Sequence, residues 1–233
     1  MTRTDSVERD VLTAFFDATG GSNWWRSDNW LSDRPLGEWY GVDTDVKNRV
    51  TRVILSGNNL CGYLPPELGN LTHLRELRLY SNRLTGSIPS TLGNLTNLTT
   101  MVLSLNRLGG AIPGELGGVR RITELALNNN KLTGGIPGEL GRLWRLDGLN
   151  LSNNELSRAV PEELGDLSGL TVLAIGGNEG LSGDLPLSLR QLSSLRVFHY
   201  HETGVSVPES LGSWLSGIRD RRGPAPRDWA YQR

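Results

Sequence analysis

Two groups of side chains in this chain of 233 residues could do chemistry. The first is a pair of histidines, His199 and His201, in a segment that reads as a strand. Alternate residues of a strand point the same way, so both imidazoles share one face, with Glu202 beside them. Zinc accepts imidazole and carboxylate ligands. Two histidines at strand spacing on an exposed end are usually plain surface, however, so we predict no metal and no cofactor.

The second group is a series of cations at a fixed interval. Arg83, Arg107 and Lys131 are evenly spaced along the chain, and each follows an asparagine. If the chain between them forms equivalent coils, the three charges stack on one flank about 5 Å apart and repel one another. This basic stripe predicts contact with an acidic partner or an anionic polysaccharide. The alternative interpretation is a solvated column in which Lys131 pairs with Glu155.

Composition and missing motifs narrow the function classes. The formal net charge is -1, which argues against a general nucleic-acid binder or a membrane-surface protein. No apolar run approaches the roughly 20 residues that cross a bilayer. Phosphate-binding loops, dinucleotide-binding glycine signatures and His-Glu-x-x-His are absent from the sequence, so we predict that the protein is not an enzyme. The lack of a secretory signal and the single cysteine, Cys61, favour a cytoplasmic location; an excised receptor domain would instead be extracellular.

The element that must position these residues is a repeat. Asparagine recurs at the same interval as the cations, within the frame Leu-x-Leu-x-x-Asn-x-Leu-x-Gly-x-Ile-Pro, as in Leu77 to Pro89. A stride of about 20–29 residues with this leucine spacing predicts an α/β solenoid of stacked leucine-rich repeats. Each asparagine is expected to turn inward and to hydrogen-bond the backbone of the loop that it closes. The six predicted structural asparagines are Asn58, Asn82, Asn106, Asn130, Asn154 and Asn178.

The repeat divides the chain into three parts. Residues 1–49 predict an N-terminal cap, with an amphipathic helix over 5–19 and four tryptophans whose indoles cover the open end of the solenoid. Residues 50–208 hold six repeats, each of roughly 24–25 residues, and a degenerate seventh, in which Thr203 takes the asparagine position. Residues 209–233 predict a closing helix and a basic tail. We expect a monomer.

The frame Leu-x-Gly-x-Ile-Pro-x-x-Leu-Gly-x-Leu resembles the plant-type class of leucine-rich repeats, which includes receptor-kinase ectodomains and polygalacturonase-inhibiting proteins. The resemblance covers roughly residues 50–208. Trp39 to Val42 looks like the cap motif Trp-x-Gly-Val-x-Cys of that class, without its cysteine. Ala14 to Gly21 resembles the cysteine-free caps of algal and other microbial repeat proteins, including Roco-type GTPases. The resemblance implies a right-handed superhelix with a concave parallel sheet, a second short sheet beside it and 3₁₀ turns on the convex side.

The outward-facing strand positions of the concave sheet are the candidate ligand contacts. Tyrosine and arginine are enriched among binding hot spots, and two of these positions carry them. We therefore predict a protein or peptide ligand on this face, with an ordinary solvated surface as the alternative interpretation. The predicted contacts are Arg78, Tyr80, Val102, Leu105, Asn128, Asn150, His199 and His201.

The predicted function is thus non-enzymatic recognition of a protein or peptide through the concave face and its basic flank. A stiff solenoid suits this task because it loses little conformational freedom on binding. One alternative is the ligand-sensing segment of a larger receptor kinase or of a Roco-like signalling or immune protein. Others are an inhibitor of a cell-wall-degrading enzyme such as polygalacturonase, and a binder of wall polysaccharide.

Overall fold

The structure, a computed structural model, describes residues 3–221. Each repeat forms one coil, in which a short strand, a turn at the asparagine, a second extended segment and a 3₁₀ turn follow one another. Two α-helices lie near the two ends of the chain, α1 Arg3–Ala18 and α2 Gly212–Gly217. The predicted basic tail from residue 222 onward lies outside the described residues. Within residues 3–221, no helix is both long enough and apolar enough to cross a membrane.

The strands and turns follow the repeat along the chain. The strands are β1 Val42–Thr44, β2 Val50–Ile54, β3 Cys61–Tyr63, β4 Glu76–Arg78, β5 Arg83–Thr85, β6 Thr100–Val102, β7 Gly109–Ala111, β8 Glu124–Ala126, β9 Lys131–Gly134, β10 Gly148–Asn150, β11 Glu155–Arg158, β12 Val172–Ala174, β13 Asn178–Asp184, β14 Val197–His199, β15 Thr203–Ser206 and β16 Asp220–Arg221. The 3₁₀ turns are Gly21–Asn23, Leu36–Glu38, Pro66–Asn70, Ser90–Asn94, Gly114–Gly118, Gly138–Arg142, Glu162–Asp166, Leu187–Gln191 and Glu209–Leu211.

The main sheet stacks one strand from each coil in register. Leu77 lies opposite Met101, which lies opposite Leu125, and the parallel pairing continues from β2 to β14. The predicted α/β solenoid, with its parallel sheet and 3₁₀ turns, is confirmed. Strands from outside the repeat close both ends, because β1 pairs antiparallel with β2 and β16 pairs with β14. The sequence assigned Asp220 and Arg221 to the tail; they instead form the last rung of this sheet.

The core is a continuous stack of leucines, and the polar turns are held by the asparagines. In the fourth coil, the Oδ1 atom of Asn130 accepts a hydrogen bond from the Leu108 N–H of the coil before it, at 3.0 Å. Its Nδ2 donates to the carbonyls of Leu103 and Leu127, each at 3.0 Å. The same three bonds recur at Asn82, Asn106, Asn154 and Asn178. Each amide therefore joins two adjacent coils as well as closing its own turn.

The N-terminal cap is tied to the first coil by a buried carboxylate. Glu8 of α1 accepts a hydrogen bond from the Val50 N–H at 2.7 Å, and Trp24, Trp30 and Trp39 are buried in the common core. The prediction that all four indoles cover the open end of the solenoid is wrong for Trp25, which is 72% exposed. Trp24 has extended backbone angles, and successive side chains of extended backbone point in opposite directions.

The second sheet is staggered, in contrast to the main sheet. It comprises the pair β3–β5 and the five strands β7, β9, β11, β13 and β15. Gly109 of β7 lies opposite Lys131 of β9, although its equivalent in the next coil is Thr133. Thr133 in turn lies opposite Glu155, two positions before its own equivalent, Ser157. Equivalent residues of successive coils are therefore offset along the strands.

Candidate ligand-binding face

The centre of the main sheet is covered by the protein's own side chains. Arg78 on β4 reaches across β6 to Glu124 on β8, with 3.2 Å between Nη2 and Oε2, and it also pairs with Glu76. Val102 lies on the strand between them with no exposed surface, and Tyr80 packs against it. Val102, predicted as a ligand contact, is not accessible in this structure, because an ion pair between the second and fourth coils lies on its side of the sheet.

The covering network extends to the first coil. Arg52 donates from Nε to Glu76 Oε2 at 2.7 Å. Burial alone would raise the pKa of Glu76, but the hydrogen bonds from Arg78 and Arg52 outweigh it, and the pKa of Glu76 is lowered. Burial disfavours the charge of Arg78 as well, yet its carboxylate partners raise the pKa of Arg78 above its ordinary value. The predicted hot-spot arginine is thus already occupied within the molecule.

Three other predicted contacts are also interior. Asn128, Asn150 and His199 expose 3% of their surface or less. Adjacent coils place side chains of one column at strand spacing, so neighbours cover one another. Asn150 Oδ1 accepts from the Ser152 N–H at 3.1 Å. The expectation that these residues meet a ligand directly therefore does not fit the structure.

The two histidines pack against each other and against the last strand. Their ring centroids are 6.2 Å apart, and His199 Nε2 lies 3.3 Å from Asp220 Oδ2. Burial lowers the pKa of His199, and Asp220 offsets part of that effect. His201 is only half-buried, and Glu202 is exposed. Among residues 3–221, no group of three or more His, Cys, Asp or Glu side chains is arranged to hold a metal ion.

What remains open is the rim, defined here as the residues that directly precede the repeat asparagines. They adopt the left-handed backbone conformation, with φ between 53° and 68°. The rim residues are Gly57, Ser81, Leu105, Asn129, Asn153 and Gly177, with Glu202 at the equivalent place in the last coil. Glycine and asparagine tolerate this conformation, whereas other L-residues lose about 1–2 kcal/mol. Leu105 adopts this unfavourable conformation although 38% of its surface is exposed.

The basic stripe runs alongside the rim. Arg83, Arg107 and Lys131 are exposed, and none forms a salt bridge with another described residue. The alternative interpretation, a Lys131–Glu155 pair, is therefore not what the structure contains. The expected spacing of about 5 Å also needs correction. Because the strands are staggered by two positions, equivalent residues lie roughly 8 Å apart, which weakens their mutual repulsion.

The stripe changes sign at its far end. The next two equivalent positions are Glu155 and Glu179, both exposed. They line a cleft of about 340 Å³ together with Asn154, Gly177 and Gly180. The sequence pattern suggested Glu155 only as a partner for Lys131, and the structure instead places both glutamates beside an open cleft.

Comparison with known proteins gives a family and a set of similar structures. The model of the family described as "Leucine-rich repeat region" matches residues 47–221. "Leucine-rich repeat protein 1" of Arabidopsis thaliana is 54% identical over 43 residues, which cover 18% of this chain and 20% of that protein. "Leucine-rich repeat protein 1" of Oryza sativa subsp. indica matches to the same extent. The chain thus aligns with about a fifth of the length of these relatives.

Three solved structures illustrate the likeness in three dimensions. The complex described as PEPR1-AtPEP1 superposes with a TM-score of 0.81 at 29% identity, over 94% of this chain and 33% of that chain. A plant ice-binding protein gives 0.76 at 25% identity, over 88% and 73%. The plant peptide hormone receptor RGFR1 in complex with RGF2 gives 0.67 at 34% identity, over 74% and 28%. The likeness extends beyond the repeats, because the first match covers nearly the whole chain.

Proposed function

This chain belongs to the leucine-rich repeat family, and we propose that it is a non-enzymatic module that recognises an extended peptide or protein segment along its rim. Two of the similar structures are described as complexes with AtPEP1 and with RGF2, which supports a peptide as the class of ligand. The rim, and not the centre of the sheet, is the part of this face that a ligand reaches without displacing the Arg78–Glu124 bridge.

The observation that carries the proposal is the conformation of Leu105. A leucine at φ 55° is in a conformation that asparagine and glycine adopt more readily. Burial does not fully compensate, because 38% of its surface faces solvent. Exposed apolar surface in a strained backbone is a feature of contact sites. We infer that Leu105 is the apolar anchor of the interface.

The basic stripe has a different role. An exposed ion pair contributes about 0–1 kcal/mol, so three cations do not supply high affinity. They increase the rate of encounter and select partners by charge. In this proposal Leu105 is the apolar contact, and Arg83, Arg107 and Lys131 favour an acidic stretch in the ligand.

A displayed library of linear random peptides tests the proposal. Peptides selected on the wild-type protein are re-measured on Leu105→Asn and on a matched control, Leu187→Asn. Leu187 is also exposed, at 54%, but it lies in a 3₁₀ turn outside the main sheet. We expect the selected peptides to bind Leu105→Asn several-fold more weakly and to bind the control unchanged. Peptides that bind both variants like wild type, or a library that yields no binder, would count against the rim as the recognition surface.

A further inference from the structure

The exposed flank beside the rim carries two blocks of opposite charge. Positive side chains occupy three consecutive coils at Arg83, Arg107 and Lys131, and negative ones follow in the next two at Glu155 and Glu179. No salt bridge joins these five side chains to one another or to other described residues. Their charges are therefore available to a partner, and the boundary between the blocks falls between Lys131 and Glu155.

A second observation falls at the same boundary. Asn128 and Ser152 belong to these two coils and are at least 97% buried. Asn128 Oδ1 and Ser152 Oγ find no hydrogen-bond partner among the described residues. A buried polar atom without a partner is rare and calls for an explanation. Both atoms are covered by the protein itself, so a ligand on the adjoining rim, at Asn129 and Asn153, does not touch them, and the charge pattern of the flank is the observation that carries the proposal.

We propose that the ligand is an extended segment with an acidic block followed by a basic block, laid along the flank so that its charges oppose those of the five coils. This inference rests on the proposed function and specifies the chemistry of its ligand. Alternate residues of an extended peptide lie about 6.8 Å apart on one face, close to the roughly 8 Å between equivalent flank residues from Arg107 to Glu155, where the strands are offset by two positions. The long side chains of arginine, lysine and glutamate can absorb the difference. Charge order then selects the ligand, and apolar contact at Leu105 holds it.

Two synthetic peptides of identical composition test the inference. Both are acetylated, amidated and fluorescently labelled, with a leucine near the middle and charged residues at alternate positions. In the block peptide, three aspartates precede two lysines; in the mixed peptide, the third aspartate and the first lysine are exchanged. Fluorescence anisotropy at low and moderate salt gives the dissociation constants. We expect wild type to prefer the block peptide by roughly three- to tenfold, and the preference to shrink as salt is added.

The decisive variant combines Lys131→Glu with Glu155→Lys. It leaves the net charge and the composition unchanged and alters only the order of the charges along the five coils. Both residues are exposed, so its thermal unfolding should match that of wild type. We expect this variant to prefer the mixed peptide. Equal binding of both peptides to wild type, or the same preference in the variant, would overturn the inference.

The proposed function is separated from this inference in the same assay. If Leu105→Asn lowers the affinity for both peptides equally while charge order has no effect on affinity, the rim binds peptides and only the charge-block inference fails. If charge order matters but Leu105→Asn has no effect, the flank binds the ligand and the anchor role of Leu105 fails. If neither peptide binds, the flank is not a peptide-contact surface, and the library selection decides about the rim independently.

Discussion

Replacing Leu105 by asparagine should leave the stability of the protein nearly unchanged while weakening its ligand contact. The equivalent positions of the next two coils already carry Asn129 and Asn153, whose side chains bond each other at 3.1 Å from Nδ2 to Oδ1. The substitution therefore introduces a residue that this backbone position accepts twice elsewhere. This makes the change a test of why a leucine is present.

The magnitude follows from two opposing terms. Relief of the left-handed conformation stabilises the variant by about 1–2 kcal/mol. Full burial of a leucine contributes about 1.5–3 kcal/mol, and since Leu105 is 38% exposed, the apolar contact that is lost amounts to about 1–2 kcal/mol. The free energy of unfolding should thus stay within about 1 kcal/mol of wild type. By contrast, Leu103→Ala in the same coil should cost about 2–5 kcal/mol.

The effect on binding is estimated from the exposed part of the side chain. Covering the remaining surface of Leu105 is worth about 1 kcal/mol, so the peptides selected from the library should lose about fivefold in affinity. Urea unfolding followed by circular dichroism measures the stability, and fluorescence anisotropy measures the binding.

The reciprocal variant Asn129→Leu is the matched control. It places leucine at φ 56° and removes the bond to Asn153, so it should lose about 1–3 kcal/mol of stability. If Leu105→Asn instead destabilises the protein by more than about 2 kcal/mol, Leu105 is a core residue and the reasoning from strain is refuted.

Three further predictions concern the solenoid itself. Asn130→Ala should lower the free energy of unfolding by about 1–3 kcal/mol, because it leaves the Leu108 N–H without a partner, whereas the Leu103 and Leu127 carbonyls keep the bonds from Asn106 and Asn154. A urea titration that shows a loss of less than about 1 kcal/mol would contradict the account of the asparagines. The pKa of His199 is lowered by burial from its ordinary value of 6.5, so the folded state binds fewer protons than the unfolded state below about that pH. The stability of the fold should therefore decrease on acidification through and below about pH 6.5. The decrease should be smaller in His199→Gln and larger in Asp220→Asn. Thermal unfolding of wild type and the two variants across this pH range measures the effect. Gly117→Ala should destabilise by several kcal/mol, since a Cβ there would lie 2.3 Å from the Glu139 carbonyl oxygen; a melting temperature equal to wild type would show that the two turns can separate.

The fold was predictable because its signal is repeated and local. Each coil carries the same leucines and the same asparagine, so the strand register Leu77–Met101–Leu125 follows from the period alone. The strand Asp220–Arg221 carries no such signal. It is defined by backbone pairing with β14, from Val197 opposite Asp220, and two charged residues have no periodicity that predicts a strand.

The candidate site was only partly predictable. Alternation along a strand gives the direction of a side chain, and it correctly directed Val102 away from the leucine core. It does not indicate what covers that side chain. The bridge from Arg78 to Glu124 joins residues 46 positions apart. The sequence signal for it is the neighbouring column of Glu76, Thr100 and Glu124, which places two carboxylates near Arg78. The strained conformation of Leu105 was not predictable from the sequence, because it is seen only in the backbone angles of the structure.

The same bridge decides between the centre of the sheet and the rim as the contact surface. A ligand that reaches Val102 must first break the Arg78–Glu124 contact, and a hydrogen bond to a charged group is worth about 1.5–3 kcal/mol. A ligand that lies along the rim leaves the bridge intact. Other contacts being equal, the rim is favoured by about ten- to hundredfold in Kd. Arg78→Ala, which removes the covering side chain, should therefore expose Val102 and shift selected peptides toward the centre of the sheet. Their affinity should then become sensitive to Val102→Ala, whereas in wild type Val102→Ala should change stability and leave affinity unaltered.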